Sequence, residues 1–252
     1  MSVRLRVEGV TCLRGRREVL RGVDLQVGAG EVVMLAGENG AGKTTLLEVM
    51  SGFQRAAAGR VVLRVGEGEG EGEGEQDVGG MAPDRRARLG VGLLAQHPSV
   101  FRRLSVLENV RMALELRASP DPGARALALL ERLELSHLAG RAAGALSGGE
   151  RRRVELARVL ATEPTVLLAD EPFAAVDPRT VSSLVALFRE VAAGGASVVV
   201  TEHRPGLARR LADRLVVLHD GRILADGPPE DVLADPQVRL VWLGERGPEG
   251  GS

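Results

Sequence analysis

A short glycine-rich segment that follows an apolar run constrains the fold of this chain more than any other stretch. The apolar run is Val32-Val33-Met34-Leu35-Ala36, and the segment after it is Gly37-Glu38-Asn39-Gly40-Ala41-Gly42-Lys43-Thr44-Thr45. The segment fits G-x-x-x-x-G-K-[ST], in which glycines let successive backbone N–H groups converge on an anion at the start of a helix. A glycine-rich turn with a chance lysine is the alternative, but residues 32–36 and 45–50 supply the strand and the helix that the motif requires. The sequence therefore predicts a strand, a phosphate-binding loop and a helix of an α/β fold.

The residue types in this loop are those that bind a polyphosphate. Residues 37–45 bring backbone N–H groups to the phosphates, and Lys43 supplies a positive charge for the β- and γ-phosphates. The hydroxyl of Thr44 is a ligand for Mg²⁺.

Two adjacent carboxylates end a second apolar run, Val166-Leu167-Leu168-Ala169-Asp170-Glu171. Sheets of α/β proteins bind their ligands at the carboxyl ends of the strands, and consecutive side chains on a strand diverge. Asp170 is therefore a candidate to hold Mg²⁺, directly or through water, and Glu171 to act as general base toward an attacking water. The alternative for such a pair is a helix cap or a solvated turn.

A third segment combines a helix cap with two glycines. Ser147 precedes a helical pattern and Glu150 follows three residues later, which is a capping box. The cap does not explain Gly148 and Gly149, which weaken a helix start but open backbone N–H groups to an anion. A second phosphate-binding segment in one chain suggests that two chains enclose each nucleotide between them, as a homodimer.

Composition excludes several classes of protein. The 252 residues include 33 basic and 34 acidic side chains, so we expect no nucleic acid partner. The single cysteine, Cys12, allows neither an internal disulfide nor a cysteine metal cluster, which is typical of a reducing, cytoplasmic compartment. The N-terminal residues have no signal-peptide core and no uncharged stretch reaches the ~20 residues that span a bilayer. We therefore expect no direct membrane insertion, and contact with a membrane only through a partner.

The remaining patterns place these motifs in one large domain. Apolar residues alternate with polar ones in residues 3–8 and 23–27, which predicts antiparallel strands, whereas residues 98–160 have helical spacing. Residues 66–75 are five Gly-Glu repeats, which predict a mobile surface loop; a divalent-ion site is the alternative. We expect residues 247–252 to be disordered.

Together these motifs resemble the ATPase subunits of ABC transporters. The phosphate loop, Gln96, residues 146–150, the acidic strand end, Asp177 and His203 occur in the order and approximate spacing of that family. The resemblance covers the chain apart from the repeats and the tail. It implies an α/β phosphate-loop NTPase core over residues 1–246, with an N-terminal antiparallel β-subdomain and an inserted α-helical subdomain at about residues 98–160.

The resemblance also implies an activity and roles for individual residues. The protein would bind and hydrolyse ATP with Mg²⁺ as a head-to-tail homodimer. Gln96 would sense Mg²⁺ and the attacking water, Ser147 and Gly149 would contact the opposite γ-phosphate, and Asp177 would connect the two sites. His203 would contact the γ-phosphate and Glu171, the alternative being a satisfied core imidazole.

A narrower resemblance concerns the transported substance. Residues 100–106, 147–155, 170–178 and 241–244 are similar to the ATPase subunits of lipopolysaccharide export transporters, and those of branched-chain amino acid importers are the nearest competitor. This implies integral membrane subunits with a coupling helix near Phe101, Arg102 and Arg103, and a position on the cytoplasmic face of the inner membrane. The alternative for those three residues is a basic exposed turn.

The chain departs from the family where the adenine is usually stacked. The family places an aromatic residue upstream of the phosphate loop, but this chain has no tyrosine and has Leu13-Arg14-Gly15 there. A guanidinium plane can stack on a base, so Arg14 is the candidate substitute.

Two other classes of function remain as alternatives: a soluble ATPase of the same superfamily acting on DNA or ribosomes, and a phosphate-loop kinase. The first usually has tandem cassettes or long coiled coils, and the second would leave residues 146–150 without a purpose.

Overall fold

Two β-sheets organise the computed structural model, which describes residues 2–66, 74–97, 99–174 and 176–244. The larger sheet has six strands in the order β10-β9-β3-β8-β7-β6. All its neighbouring strands are parallel except β10, which pairs antiparallel with β9. In chain order the strands are β3 (Val32–Ala36), β6 (Val91–Leu94), β7 (Val166–Asp170), β8 (Ser197–Thr201), β9 (Arg214–His219) and β10 (Arg222–Gly227).

The central strands of this sheet are buried on both faces. Every residue of β3, β7 and β8 is buried, as expected for the apolar runs of a parallel sheet that is covered on both sides. Leu35 of β3 and Asp170 of β7 both pair with Thr201 of β8. The carboxyl ends of the three strands therefore lie side by side, and the segments that follow them meet at one edge.

The smaller sheet is antiparallel and has the order β2-β1-β4-β5. Leu5 pairs with Val27 and Val7 with Leu25, and all four side chains are buried, which confirms the strands predicted from alternation. The bounds of the four strands are β1 (Val3–Arg14), β2 (Arg17–Gly28), β4 (Ala58–Val65) and β5 (Gly74–Asp77).

The end of the Gly-Glu repeats is a strand, so the prediction of a loop through residue 75 was wrong at that end. Gly74 and Glu75 begin β5, which pairs with β4, and the Glu75 carboxylate accepts hydrogen bonds of 2.6 and 2.7 Å from the Arg6 guanidinium. Backbone pairing and this ion pair order the two residues despite the glycine. Residues 67–73, where the rest of the predicted loop falls, lie outside the described residues.

Helices cover the larger sheet, and three of them, which lie between β6 and β7 along the chain, form a layer of their own. This layer is built on the buried residues Val106, Val110, Leu114, Leu130 and Val154. Leu127 of the same layer points outward and is 49% exposed. The helices in chain order are α1 (Lys43–Ser51), α2 (Pro83–Arg88), α3 (Val106–Leu116), α4 (Pro122–Arg132), α5 (Gly148–Leu160), α6 (Pro178–Ala193), α7 (Pro205–Leu211), α8 (Pro229–Ala234) and α9 (Pro236–Val241).

The positions of the predicted subdomains follow from this order. The layer of α3, α4 and α5 falls within the predicted helical subdomain, and β1, β2, β4 and β5 form the antiparallel sheet. None of the helices in the described ranges combines the length and the apolar composition that a bilayer crossing requires. Residues 247–252, the predicted disordered tail, lie outside the described part of the chain.

Candidate functional site

The phosphate loop requires glycine at two positions for steric reasons. Gly37 has φ of +135°, and a Cβ there would lie 2.1 Å from the Leu218 carbonyl oxygen. Gly42 has φ of +112°, and its Cβ would lie 2.8 Å from the Leu20 side chain. These approaches press the loop against the ends of β9 and β2, so only a residue without a side chain lets it turn there.

The loop leads directly into α1, whose first residue is Lys43. The N-cap is Gly42, and no side chain in the described part of the protein caps this end by a hydrogen bond. The first N–H groups of a helix have no partner within the helix, and the helix dipole favours negative charge there. The start of α1 is thus suited to bind a phosphate, as the sequence motif predicts.

Lys43 lies over the loop that precedes it. Its Nζ donates hydrogen bonds to the carbonyl oxygens of Gly37 at 2.7 Å and Glu38 at 2.8 Å. Burial lowers the pKa of Lys43, while the negative charges of Glu171, Asp170 and Glu38 oppose that change. The ammonium group is therefore surrounded by acceptors and poised beside the helix start.

A cleft of about 480 Å³ is lined by half of the predicted site residues. Its lining includes the side of the loop and of α1 together with the acidic strand end, namely Asn39, Gly40, Gly42, Lys43, Thr44, Thr45, Gln96 and Glu171. An adjoining cleft shares Thr44, Thr45 and Gln96 and adds Asp170. The other loop residues, Gly37, Glu38 and Ala41, line neither cleft: Gly37 and Ala41 are buried, and Glu38 is exposed. The structure thus brings together the phosphate loop, the glutamine and both carboxylates.

Two further residues, Arg17 and Val19, line this cleft and were not predicted from the sequence. Both follow the tight turn between β1 and β2 and reach the cleft from the smaller sheet. Their proximity to the phosphate loop depends on how the two sheets pack, which no local pattern in residues 15–20 reveals.

Arg14 also lines both clefts, at the end of β1. Its Nε donates to the Thr45 hydroxyl at 3.2 Å, and its guanidinium forms an ion pair with Glu48 on α1. The guanidinium that was expected to stack on adenine is therefore bound to the phosphate-loop helix.

The two acidic residues at the end of β7 have different surroundings. Asp170 is 3% exposed, whereas Glu171 is partly exposed and accepts a hydrogen bond of 3.4 Å from Gln96 Nε2 on its Oε2. The backbone of Glu171 has φ of +46°, a left-handed conformation that is costly for a residue with a side chain. The Asp170 and Glu171 side chains therefore have different surroundings, as expected for divergent side chains, and the Glu171 carboxylate contacts Gln96.

An arginine that the sequence analysis did not single out connects this region to α5. The Arg152 guanidinium donates to the carbonyl oxygens of Ala95 and Asp170 and pairs with Glu155 at 3.2 Å. Glu155 in turn accepts a hydrogen bond of 2.5 Å from the Ser99 N–H. One buried ion pair on α5 therefore holds the backbone on both sides of Gln96 and just before Glu171.

The predicted capping box at residue 147 is confirmed. The Ser147 N–H donates to Glu150 at 2.7 Å, and the Glu150 N–H donates to the Ser147 hydroxyl at 3.3 Å. Hydrogen bonds from the backbone N–H and the side chain of Ser147 lower the pKa of the Glu150 carboxyl. Ser147 and Gly148 are exposed, Gly149 is partly exposed, and none of the three lines the clefts at the phosphate loop.

Asp177 and His203 lie at other element ends. Asp177 caps α6 by accepting hydrogen bonds from the N–H groups of Arg179 and Thr180. A hydrogen bond from the Thr180 hydroxyl, together with these backbone bonds, lowers the pKa of the Asp177 carboxyl. His203 follows β8 with its side chain 60% exposed, and its Nδ1 lies 3.7 Å from Glu202. In the described contacts His203 therefore meets Glu202 and not Glu171.

The oxygen groups of this site fit a hard cation. Mg²⁺ prefers one or two carboxylates, hydroxyls and amide oxygens together with phosphate oxygens. Asp170, Thr44 and Gln96 offer such groups around one cleft. The described residues contain no cluster of three or more histidine, cysteine or acidic side chains arranged for a metal. Such a cation would also take phosphate oxygens of a bound polyphosphate as ligands.

Two family models match the chain. The model described as "ABC transporter" matches residues 20–174, which include the phosphate loop, Ser147 and Glu171. The model described as "Branched-chain amino acid ATP-binding cassette transporter" matches residues 222–247.

Curated relatives align over nearly the whole chain. A probable ABC transporter ATP-binding protein of Azorhizobium caulinodans is 44% identical over 234 residues, covering 92% of this chain and 79% of that protein. The lipopolysaccharide export system ATP-binding protein LptB of Acidithiobacillus ferridurans is 41% identical over 248 residues, covering 98% and 99%.

Solved structures have the same fold. A nucleotide-free ATP-binding cassette from an ABC transporter superposes with a TM-score of 0.83 at 30% identity, covering 96% of this chain and all of that one. The ADP conformation of another such cassette gives 0.82 at 31% identity, covering 97% and 100%.

Proposed function

Because this chain belongs to the ABC transporter family of ATP-binding, ATP-hydrolysing subunits, we propose that it works as a homodimer that drives lipopolysaccharide export through membrane subunits. The observation that carries the hydrolytic part is the cleft in which Lys43, Gln96 and Glu171 face the start of α1. Similarity to an export-system ATPase over 98% of the chain supports the choice of lipopolysaccharide.

The residues of the cleft divide the work of hydrolysis. Lys43 exchanges the carbonyl groups of Gly37 and Glu38 for the β- and γ-phosphates, and the N–H groups at the start of α1 bind the same oxygens. Glu171 takes the proton of the attacking water, and Gln96 orients that water and the carboxylate beside it. Thr44, Asp170 and Gln96 would hold Mg²⁺, which would supply positive charge that neutralises the phosphates.

A second chain completes the site. Ser147 and Gly148 are exposed and lie outside the phosphate-loop clefts of their own chain, so their groups remain available to another molecule. The Ser147 oxygen accepts from the Glu150 N–H, and its hydroxyl hydrogen turns from the Glu150 carboxylate to a γ-phosphate held by the opposite Lys43 when the dimer closes. The residues 147–149 of each chain then bind the nucleotide of the other.

Three further residues have proposed roles at the closed interface. Asp177, exposed at the start of α6, connects the two sites. His203 turns its exposed side chain to the γ-phosphate and to Glu171 when nucleotide and partner are bound. Arg14 contacts the base by its guanidinium face while remaining paired with Glu48.

Membrane subunits are proposed to bind the turn at residues 101–103. All three residues are exposed, and the Phe101 ring carries the Arg158 guanidinium 4.7 Å from its centre. Buried Asn109 fixes the turn by accepting from the Phe101 N–H at 2.9 Å and donating to its carbonyl at 3.1 Å. A rigid apolar and basic knob thus lies beside α3 and α5, and α5 begins at the proposed phosphate-contacting residues 147–149. The protein would lie on the cytoplasmic face of the inner membrane through this contact.

Changing Phe101 and Arg102 together to alanine should weaken assembly with the membrane subunits by about tenfold or more, because an aromatic and an arginine are typical interface anchors. Co-purification from mild detergent measures assembly, and phosphate release measures the ATPase rate of the isolated subunit, which should stay within about twofold of wild type because the turn lies outside the described clefts.

The matched control is the pair Leu116→Ala and Arg117→Ala at the far end of α3, where Leu116 is 82% exposed. This pair should leave assembly unchanged. Intact assembly of the Phe101 variant, or equal losses in both pairs, would contradict the proposed contact.

The identity of the co-purifying membrane subunits tests the cargo. Subunits of a lipopolysaccharide exporter are expected. Permeases for branched-chain amino acids would instead support the second candidate, which the family match at residues 222–247 favours. Recovery of DNA-repair or ribosomal proteins without membrane subunits would overturn both.

A further inference from the structure

One peptide group joins the two carboxylates of the hydrolytic site, and side chains hold it from both sides. Its carbonyl, that of Asp170, accepts a hydrogen bond from the Arg152 guanidinium on α5. Its N–H, that of Glu171, donates to the Thr201 hydroxyl oxygen at 2.9 Å. The orientation of this peptide plane determines the directions in which the Asp170 and Glu171 side chains leave the backbone.

Thr201 makes a second contact with the same pair. Its hydroxyl hydrogen is donated to Asp170 Oδ1, so one oxygen atom binds the Asp170 carboxylate and the Glu171 backbone at once. Thr201 is 0% exposed and pairs with Asp170 in the β7–β8 register. The hydroxyl therefore donates to one acidic residue, Asp170, and accepts from the other, Glu171.

The need for such a contact follows from the backbone of Glu171. Its φ of +46° is a conformation that a residue with a side chain adopts at a cost, and it persists only where neighbouring groups enforce it. Without the Thr201 oxygen, the partly buried Glu171 N–H would lose this acceptor and the peptide could rotate toward an ordinary conformation. The Glu171 carboxylate would then move away from Gln96.

We propose that Thr201 is a positioning residue for hydrolysis: its hydroxyl fixes the Glu171 backbone and orients the Asp170 carboxylate so that Oδ2 faces the cleft. The inference rests on the roles proposed for Asp170 and Glu171. Thr201 contacts neither phosphate nor water in this scheme. Thr201 lies two residues before His203, at the end of β8. Because β8 pairs with β3, the strand that precedes the phosphate loop, β8 connects His203 and the loop to the two carboxylates.

The test compares Thr201→Val with Thr201→Ser and with a matched control on the same strand. Valine keeps the volume and removes the hydroxyl, whereas serine restores it. The control is Ser197→Ala at the opposite end of β8, where Ser197 is also 0% exposed and its hydroxyl donates to the Gly28 carbonyl at 2.6 Å. Each change removes one buried hydroxyl from one strand.

Thr201→Val should lower kcat for ATP by about 10- to 100-fold, the usual effect of removing a group that orients a metal-binding carboxylate, with KM for ATP within about threefold of wild type. The Mg²⁺ concentration at half-maximal rate should rise by a similar factor. Thr201→Ser should rescue both quantities. Ser197→Ala should keep kcat within about twofold of wild type, while it lowers the melting temperature about as much as Thr201→Val does.

Several outcomes would overturn the inference. One is a folded Thr201→Val protein with wild-type kcat and Mg²⁺ dependence. Another is an equal loss of kcat in Ser197→Ala, since the effect would then come from general loosening of β8. Failure of both Thr201→Val and Thr201→Ala to fold would also contradict it, because the hydroxyl would then serve the fold. Glu171→Gln is measured in parallel: if it retains hydrolysis, the proposed base itself is wrong, whereas its inactivity beside an active Thr201→Val removes only the inference about Thr201.

Discussion

Glu171→Gln is expected to lower the rate of ATP hydrolysis by about 100-fold or more, the contribution typical of a general base. The amide keeps the volume of the carboxylate and its contact with Gln96, but it cannot take the proton of the attacking water. The left-handed backbone at residue 171 and its bond to Thr201 do not depend on the side-chain charge. Release of inorganic phosphate under single-turnover conditions measures the effect.

The same change should convert a transient dimer into a persistent one. ATP that is bound but not hydrolysed keeps its γ-phosphate between Lys43 of one chain and Ser147 of the other, and a ligand that binds only the closed dimer stabilises it. Size-exclusion chromatography with Mg²⁺ and ATP should give a lasting dimer for the variant, whereas wild type returns to monomer as ATP is consumed.

Glu202→Gln offers a matched control for Glu171→Gln. Glu202 is also an acid next to a strand end, but it is 1% exposed and accepts hydrogen bonds from Arg204 and the His203 N–H, which a glutamine oxygen can also accept, rather than facing the cleft. Its variant should still hydrolyse ATP. Hydrolysis by Glu171→Gln at the wild-type rate would remove Glu171 from the role of base.

Arg86→Met is expected to lower the free energy of unfolding by about 3 kcal/mol, because it leaves buried carbonyl groups without their charged donor. The Arg86 guanidinium is 1% exposed and donates to four backbone carbonyls, those of Val49, Met50, Gly79 and Met81, at 2.6 to 3.2 Å. Val49 and Met50 belong to the last turn of α1, where a positive charge also interacts favourably with the helix dipole. The arginine thus ties the far end of the phosphate-loop helix to α2.

Urea unfolding followed by circular dichroism measures this effect as a lower midpoint at an unchanged slope. Arg85→Met is the control, since Arg85 is the exposed neighbour on the same helix, and it should change the free energy of unfolding by less than about 0.5 kcal/mol. A loss below about 1 kcal/mol in Arg86→Met would show that the carbonyl groups find other partners.

The parts of the site that lie within one short segment could be predicted from sequence. Residues 37–45 contain the turn, the helix start and Lys43 within a single motif, so the local pattern determined their arrangement. The same holds for Ser147 and Glu150, whose reciprocal cap depends on a spacing of three residues. Burial of β3, β7 and β8 likewise follows from continuous apolar runs.

The parts that depend on packing between distant segments could not be predicted. Thr201 looks like an ordinary strand residue until the register places it opposite Asp170. Arg86 and Arg152 resemble many other arginines in a chain with 33 basic residues, and only the fold shows that they are buried against carbonyl groups. Pairing of β5 with β4 ordered Glu75 against the expectation from its repeat.

Sizing of the double variant Glu171→Gln with Ser147→Arg, in the presence of Mg²⁺ and ATP, tests most directly whether each nucleotide is enclosed by two chains. The arginine places a long side chain where the opposite γ-phosphate must approach, at an exposed position that does not line its own phosphate-loop cleft. We expect the double variant to bind ATP with the affinity of the single Glu171→Gln variant in its monomeric form but to stay monomeric. A double variant that forms the same lasting dimer as Glu171→Gln alone would contradict it.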